Sequence, residues 1–192
     1  MKAVSSLPEH YREIYRVDFR TDKKLMLWVN AAGLLIMILM AIPAHAFIPI
    51  ASLFDLSEGF RPYVIRMAVL IAASVAYIIL HELVHGIAMK AFGTKKVRYG
   101  FTGLYAFAGS SDYYDRRSYI TISLAPIAVW GVVCAILCAV VPESWFWVIY
   151  LIQIFNISGA AGDLYITYRS LKMPNDILVQ DSGLEMHIYS AQ

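Results

Sequence analysis

The stretch His81-Glu82-Leu83-Val84-His85 carries the plainest chemical signal in this chain. On a helix, residues four apart lie one above the other, so the two imidazoles can share one metal ion at about 2.0–2.1 Å. Glu82 is turned by about 100° from His81. It can therefore stay out of the coordination sphere and reach a water on the metal, the position a general base needs. A catalytic zinc site uses three protein ligands and keeps one position open, so a third ligand is required. Asp163 is the candidate, with His187 and Glu185 as alternatives in the polar stretch that follows it. Asn156 lies seven residues before Asp163 and on the same helical face. It is a candidate for binding a substrate carbonyl, with an interhelical hydrogen bond as the alternative.

These residues have to be positioned by elements in a very apolar chain. Hydrophobic residues make up 59% of the 192, against about 45–50% in soluble domains. A soluble globular protein or a disordered chain is thereby disfavoured. The 16 basic residues nearly balance 14 acidic ones, which argues against nucleic acid as a partner. The apolar residues are concentrated in runs free of Asp, Glu, Lys and Arg. Because a bilayer core about 30 Å thick takes about 20 apolar residues as helix, four transmembrane spans are predicted, at roughly 26–48, 63–90, 119–141 and 145–168. The expected class is an all-α polytopic membrane protein. Ala44-His45-Ala46 has the small-x-small form of a signal-peptide cleavage site, but the run before it is too long for one. Cys134 and Cys138 sit four apart in an uncharged run and read as packing residues.

Depth in the membrane links the two parts of the site. His81 lies 18 residues after Tyr63, and Asp163 lies 18 residues after Trp145, so each descends about 27 Å along its span. The ligands are predicted at one depth, towards the cytoplasmic side. Small residues, Ser158 to Gly162, favour close helix packing beside Asp163. All basic residues except Arg61 and Arg66 fall on one side of this topology, which puts both ends of the chain and the connection between the second and third spans in the cytoplasm.

On His81-Glu82-Leu83-Val84-His85-Gly86, Phe92-Gly93, the Gly/aromatic stretch from Tyr99 to Gly109, Ser123-Leu124-Ala125-Pro126, Asn156 and Asp163, the chain resembles the site-2 protease group of intramembrane zinc metallopeptidases. It departs from that group in lacking a proline between Asn156 and Asp163 and in reading Gly162-Asp163 where the group has Asp-Gly. It is similar over most of its length to a bacterial family of zincin peptidases of unknown function, including Gly162-Asp163-Leu164-Tyr165 and Gln180-Asp181-Ser182-Gly183. The resemblance implies zinc held by His81, His85 and Asp163, Glu82 as base, and a bacterial cell membrane as location. It implies no particular substrate.

Around the spans, three segments are expected: 1–24 with a short helix lying on the membrane surface, a membrane-embedded peptidase domain over 25–170, and a cytoplasmic tail over 171–192. Val97 to Ala108 is predicted as a short strand or hairpin. It could hold an unwound substrate by strand addition or serve as an interfacial loop. Ile177 to Tyr189 alternates around Asp181-Ser182-Gly183 and is predicted as a small hairpin. Two functions follow from the sequence: a membrane-embedded zinc endopeptidase acting on membrane protein or peptide substrates, or a catalytically silent zinc protein that binds membrane clients. Glu82 separates them, since a carboxylate beside the metal has little use in a mere scaffold.

Overall fold

The computed structural model describes residues 2–18, 20–103 and 105–191. Its helices are α1 (Lys23–Phe47), α2 (Phe60–Ala91), α3 (Arg116–Val140), α4 (Glu143–Gly159) and α5 (Ala161–Leu171). The strands are β1 (Arg12–Asp18), β2 (Arg98–Phe101), β3 (Ala106–Gly109), β4 (Tyr113–Asp115), β5 (Leu178–Asp181) and β6 (Glu185–Ser190). Four helical stretches are long and apolar enough to cross a membrane: α1, α2, α3 and the pair spanning Glu143–Leu171. The fourth is broken. Ala160 leaves helical geometry at φ −83° and ψ 18°, so the expected single span over 145–168 is two helices.

The chain divides into two compact units. The first takes Met1–Val29, His81–Pro126 and Gly162–Gln192; the second takes Asn30–Leu80 and Ile127–Ala161. The division falls inside α1, α2 and α3.

The first unit contains more sheet than an all-α reading allows. Four antiparallel strands run in the order β1-β6-β5-β4, and β2 pairs with β3 in a separate hairpin. In β6 alternate residues Met186, Ile188 and Ser190 are buried, as a strand with one covered face requires. Met186 and Ile188 pack with Val17, Tyr114 and Val179 onto Met89 of α2, Tyr119 and Ile122 of α3, and Ile166 of α5. The predicted C-terminal hairpin is present as β5 and β6. Gly183 closes its turn at φ 81°, where a side chain would be strained.

The helix expected before the first span is a strand instead. Residues 12–18 pair with β6, from Arg12 opposite Ser190 to Asp18 opposite Glu185. The helical spacing of Tyr11, Ile14, Tyr15 and Asp18 misled because a bulge lies between Glu13 and Tyr15 and leaves Ile14 exposed. The extra residue disturbs the two-residue period that would have marked a strand. The partner that decides the matter lies far away in sequence.

The second unit is helical and apolar on its outside. Leu34, Leu39 and Ile42 of α1, Ile71 of α2, and Val132 and Ile136 of α3 are all more than half exposed. Its interior holds Ala44, Leu53, Trp147, Val148 and Ile154 in one cluster and Tyr77, Cys134 and Ile152 in another. A Cβ on Gly33 would stand 2.8 Å from the Ser158 carbonyl, so glycine is what allows α1 this close to the end of α4. Arg66, fully buried, is neutralised by Glu58 at 2.8 Å.

Candidate metal centre

His81 and His85 sit one turn apart on α2, both buried, with ring centroids 4.9 Å apart. The break at Ala160 restarts the helix so that Asp163 falls in the first turn of α5. Unpaired N–H groups and the helix dipole favour a carboxylate there. The three side chains meet: His81 Nε2 lies 3.6 Å from Asp163 Oδ2, and His85 Nε2 lies 3.6 Å from Asp163 Oδ1. One donor atom from each lies within 4.8 Å of the others. His81, His85 and Asp163 are thus brought together within the first unit.

The donor set suits zinc. With bonds of about 2.0–2.1 Å, donor atoms at two corners of a tetrahedron stand about 3.3 Å apart. The observed 3.6 Å is close to that and long for a strong hydrogen bond. Two imidazoles and one carboxylate leave a fourth position for water or substrate.

Further contacts hold the ligands. His85 Nδ1 is 3.0 Å from the Ile122 carbonyl of α3, which can only accept, so Nδ1 donates and Nε2 keeps its lone pair for a metal. The Ser123 hydroxyl donates to the Asp163 carbonyl at 3.1 Å, and the Thr167 hydroxyl donates to Ser123 Oγ at 3.3 Å. Consecutive residues of α3 therefore steady ligands on two other helices. Sequence reasoning singled out Ser123-Leu124-Ala125-Pro126 only through a resemblance, because a backbone carbonyl leaves no mark in residue type.

Glu82 approaches the backbone N–H of Ala108 in β3, so the hairpin predicted over Val97 to Ala108 forms and borders the base. Gly86 explains how the hairpin comes so close. A Cβ there would overlap the Tyr99 hydroxyl, which β2 lays against α2. Asp181 was read only as part of a turn, yet it is tied in from two directions. The Tyr119 hydroxyl donates to its Oδ2 at 2.7 Å and the Gly183 N–H to its Oδ1 at 2.8 Å. Burial pushes the Asp181 carboxyl above its ordinary pKa range against the pull of these two hydrogen bonds.

The other candidates lie elsewhere. His187 and Glu185 are on β6, where His187 Nδ1 is 2.8 Å from Glu13 and Nε2 is 3.3 Å from Glu185. Asn156 belongs to the second unit and is fully buried. The Tyr77 hydroxyl donates to its Oδ1 at 3.2 Å, and its Nδ2 donates to the Ile127 carbonyl at 3.2 Å. The interhelical bonding considered for this residue is present.

Two histidines and a glutamate spaced in this way on one helix, with a carboxylate from another closing the donor set, have the form of a zincin. The chain belongs to the DUF3267 family, described as "Putative zincin peptidase", whose model matches residues 74–178. That interval holds Glu82 and all three metal candidates. A protein of Pyrococcus woesei, described as "Uncharacterized 24.7 kDa protein in gap 5'region", is 31% identical over 122 residues, covering 61% of this chain and 53% of the relative. The chain thus spans about half the length of the curated relative it matches. No solved structure matches it.

Proposed function

We propose that this protein is a membrane-embedded zinc metalloendopeptidase that hydrolyses peptide bonds within or next to transmembrane segments. The observation that carries the reading is the cluster of His81, His85 and Asp163 beside Glu82, on a chain with helical stretches long and apolar enough to cross a membrane, of which α1, α2 and α3 expose large apolar side chains. The alternative, a silent zinc protein that retains membrane clients, leaves the position of Glu82 without a purpose.

His81, His85 and Asp163 would hold a zinc ion, which would supply Lewis-acid chemistry, making water more acidic and polarising a carbonyl. Glu82 takes the proton of the attacking water and returns it to the departing amine. His85 keeps its orientation through the Ile122 carbonyl, and Asp163 is steadied through Ser123. The β2–β3 hairpin beside Glu82 offers backbone groups to an extended substrate, which suits the chemistry because a helical peptide bond is shielded from attack. Asn156 spends both ends of its amide inside the second unit, so any contact it makes with a substrate carbonyl requires one of those bonds to open.

The sidedness rests on two independent features. The sheet β1-β6-β5-β4 unites the segment before the first span, the connection between the second and third, and the segment after the fourth. These are the segments that carry the basic residues, and in a lipid bilayer such a distribution places them in the cytoplasm. A reporter fused after Gln192 and found outside the cell would overturn this placement.

The test of the function is metal analysis and peptide cleavage by protein purified in detergent. The expected result is about one zinc per chain and hydrolysis of a membrane-derived peptide. Metal-free wild type would remove the reading, whereas one zinc without hydrolysis of any membrane peptide would favour the silent alternative.

A further inference from the structure

Pro126 stands inside α3, where it has no N–H to give. In an α-helix the N–H of residue i bonds the carbonyl of residue i−4, so the carbonyl that Pro126 deprives is that of Ile122. That carbonyl is the one 3.0 Å from His85 Nδ1. The proline ring also crowds the i−4 carbonyl. One residue therefore frees the acceptor from its helical donor.

We propose that Pro126 is a positioning residue for the metal centre: it reserves the Ile122 carbonyl for His85 and thereby holds that imidazole with Nδ1 protonated and Nε2 turned to the metal. Without such a partner, a neutral imidazole can carry its proton on either nitrogen, and the ring is free to rotate. With it, Nε2 is kept facing Asp163 Oδ1. The neighbouring residue completes the brace, since Ser123 holds the Asp163 backbone. The helix loses one internal hydrogen bond, and the metal centre gains a fixed ligand. An alanine at 126 would return an N–H to the Ile122 carbonyl. A carbonyl has two lone pairs, so His85 would not be expelled, but it would share its acceptor with that N–H.

This inference rests on the reading of His81, His85 and Asp163 as a zinc site, and the experiment separates the two. Zinc affinity is measured by competition with a chelator for detergent-purified wild type, for Pro126→Ala, and for protein carrying lactic acid at position 126, whose ester has neither an N–H nor a ring. Pro43→Ala, the same change at the proline inside α1, is the control. In parallel, imidazole nitrogen resonances of the zinc-loaded wild type show which nitrogen of His85 binds the metal. Pro126→Ala should weaken zinc binding by about 10–100-fold, the effect usual for loss of a partner behind a ligand. The ester variant should recover most of that loss, and Pro43→Ala should bind as wild type does. In zinc-loaded wild type, Nε2 should bind the metal while Nδ1 carries a proton. Undiminished affinity in Pro126→Ala overturns the proposal, as does an ester variant no better than alanine or metal on Nδ1 of wild-type His85. If Pro126→Ala does not fold, the ester variant still tests the proposal, since an affinity far below wild type in it would overturn the role of the missing N–H. Failure of wild type to bind zinc removes the metal-site reading itself, and this inference with it.

Discussion

The carbonyls of Ile122 and Ile127, five residues apart on α3, each accept a hydrogen bond from a side chain of another helix, and the two bonds serve different ends. In the first unit the donor is His85 Nδ1; in the second it is Asn156 Nδ2. In regular helix geometry the Ile127 carbonyl is the acceptor for the Gly131 N–H, so Asn156 adds a second donor to it. The Ile122 carbonyl has lost its helical partner to Pro126. The contrast extends to the units as wholes. The second exposes leucine, isoleucine and valine and turns Tyr77 and Asn156 inward, as a membrane protein does; the first covers a tyrosine-rich core with a sheet and gathers histidines and carboxylates. On the proposed function, the first unit would carry the chemistry, and a hydrogen bond of the same kind would be structural in the second and preparatory in the first.

The largest effect separating them is expected from Glu82→Gln. Peptide hydrolysis should fall by about 10²–10⁴-fold, the usual worth of a general base, while zinc stays bound. Unchanged cleavage by this variant would remove Glu82 from the mechanism. Asp163→Asn should act on the metal, lowering zinc affinity by more than the about 10–100-fold that follows from losing an outer partner. Competition with a chelator measures it, and an affinity equal to wild type would exclude Asp163 as a ligand.

Gly86→Ala tests whether the first unit depends on close packing beside its metal centre. The new methyl overlaps the Tyr99 hydroxyl, and displacing Tyr99 should cost about 1–3 kcal/mol, seen as a lower unfolding temperature in detergent. In the second unit, Asn156→Ala should cost less, about 0.6–1.7 kcal/mol, the range measured for hydrogen bonds between membrane helices. Its zinc affinity should equal that of wild type. The contrast between the units would break if this variant lost zinc. It would sharpen if KM rose at constant kcat, because Asn156 would then meet substrate as well as Tyr77.

The smallest effect lies at the sheet's edge. The Ala191 N–H and the Ser190 hydroxyl beside Asp176 hold its carboxyl below the usual carboxylate range. A depressed folded pKa contributes stability that is present above the unfolded value, about 3.9, and is lost as pH falls through the folded one. Amide exchange at Ala191 should therefore quicken relative to its intrinsic rate below about pH 4. In Asp176→Asn this pH dependence should vanish.

What the sequence revealed follows from how local each signal is. The cluster of His81, His85 and Asp163 was legible because the two histidines carry their geometry in a spacing of four, and because Asp163 stands alone as an acid in a long apolar run. The four spans were legible for the same reason, as uninterrupted composition. β1 was not, because its conformation is decided by β6, and the bulge at Ile14 blurred its period. The break at Ala160 has no proline to announce it. The role of Pro126 could be read only after the structure placed His85 beside the one carbonyl that proline leaves unclaimed.

The pairing of β1 with β6 also sets an order of events during synthesis. β1 is made before any of the helices, and β6 after all of them. The first strand therefore lacks its β6 partner while α1 to α5 are made, and the sheet over Met89, Tyr119 and Ile166 closes only when β6 arrives. If the protein is the hydrolase proposed above, its covering sheet is completed last, so it would not be fully assembled while its own helices are still being made.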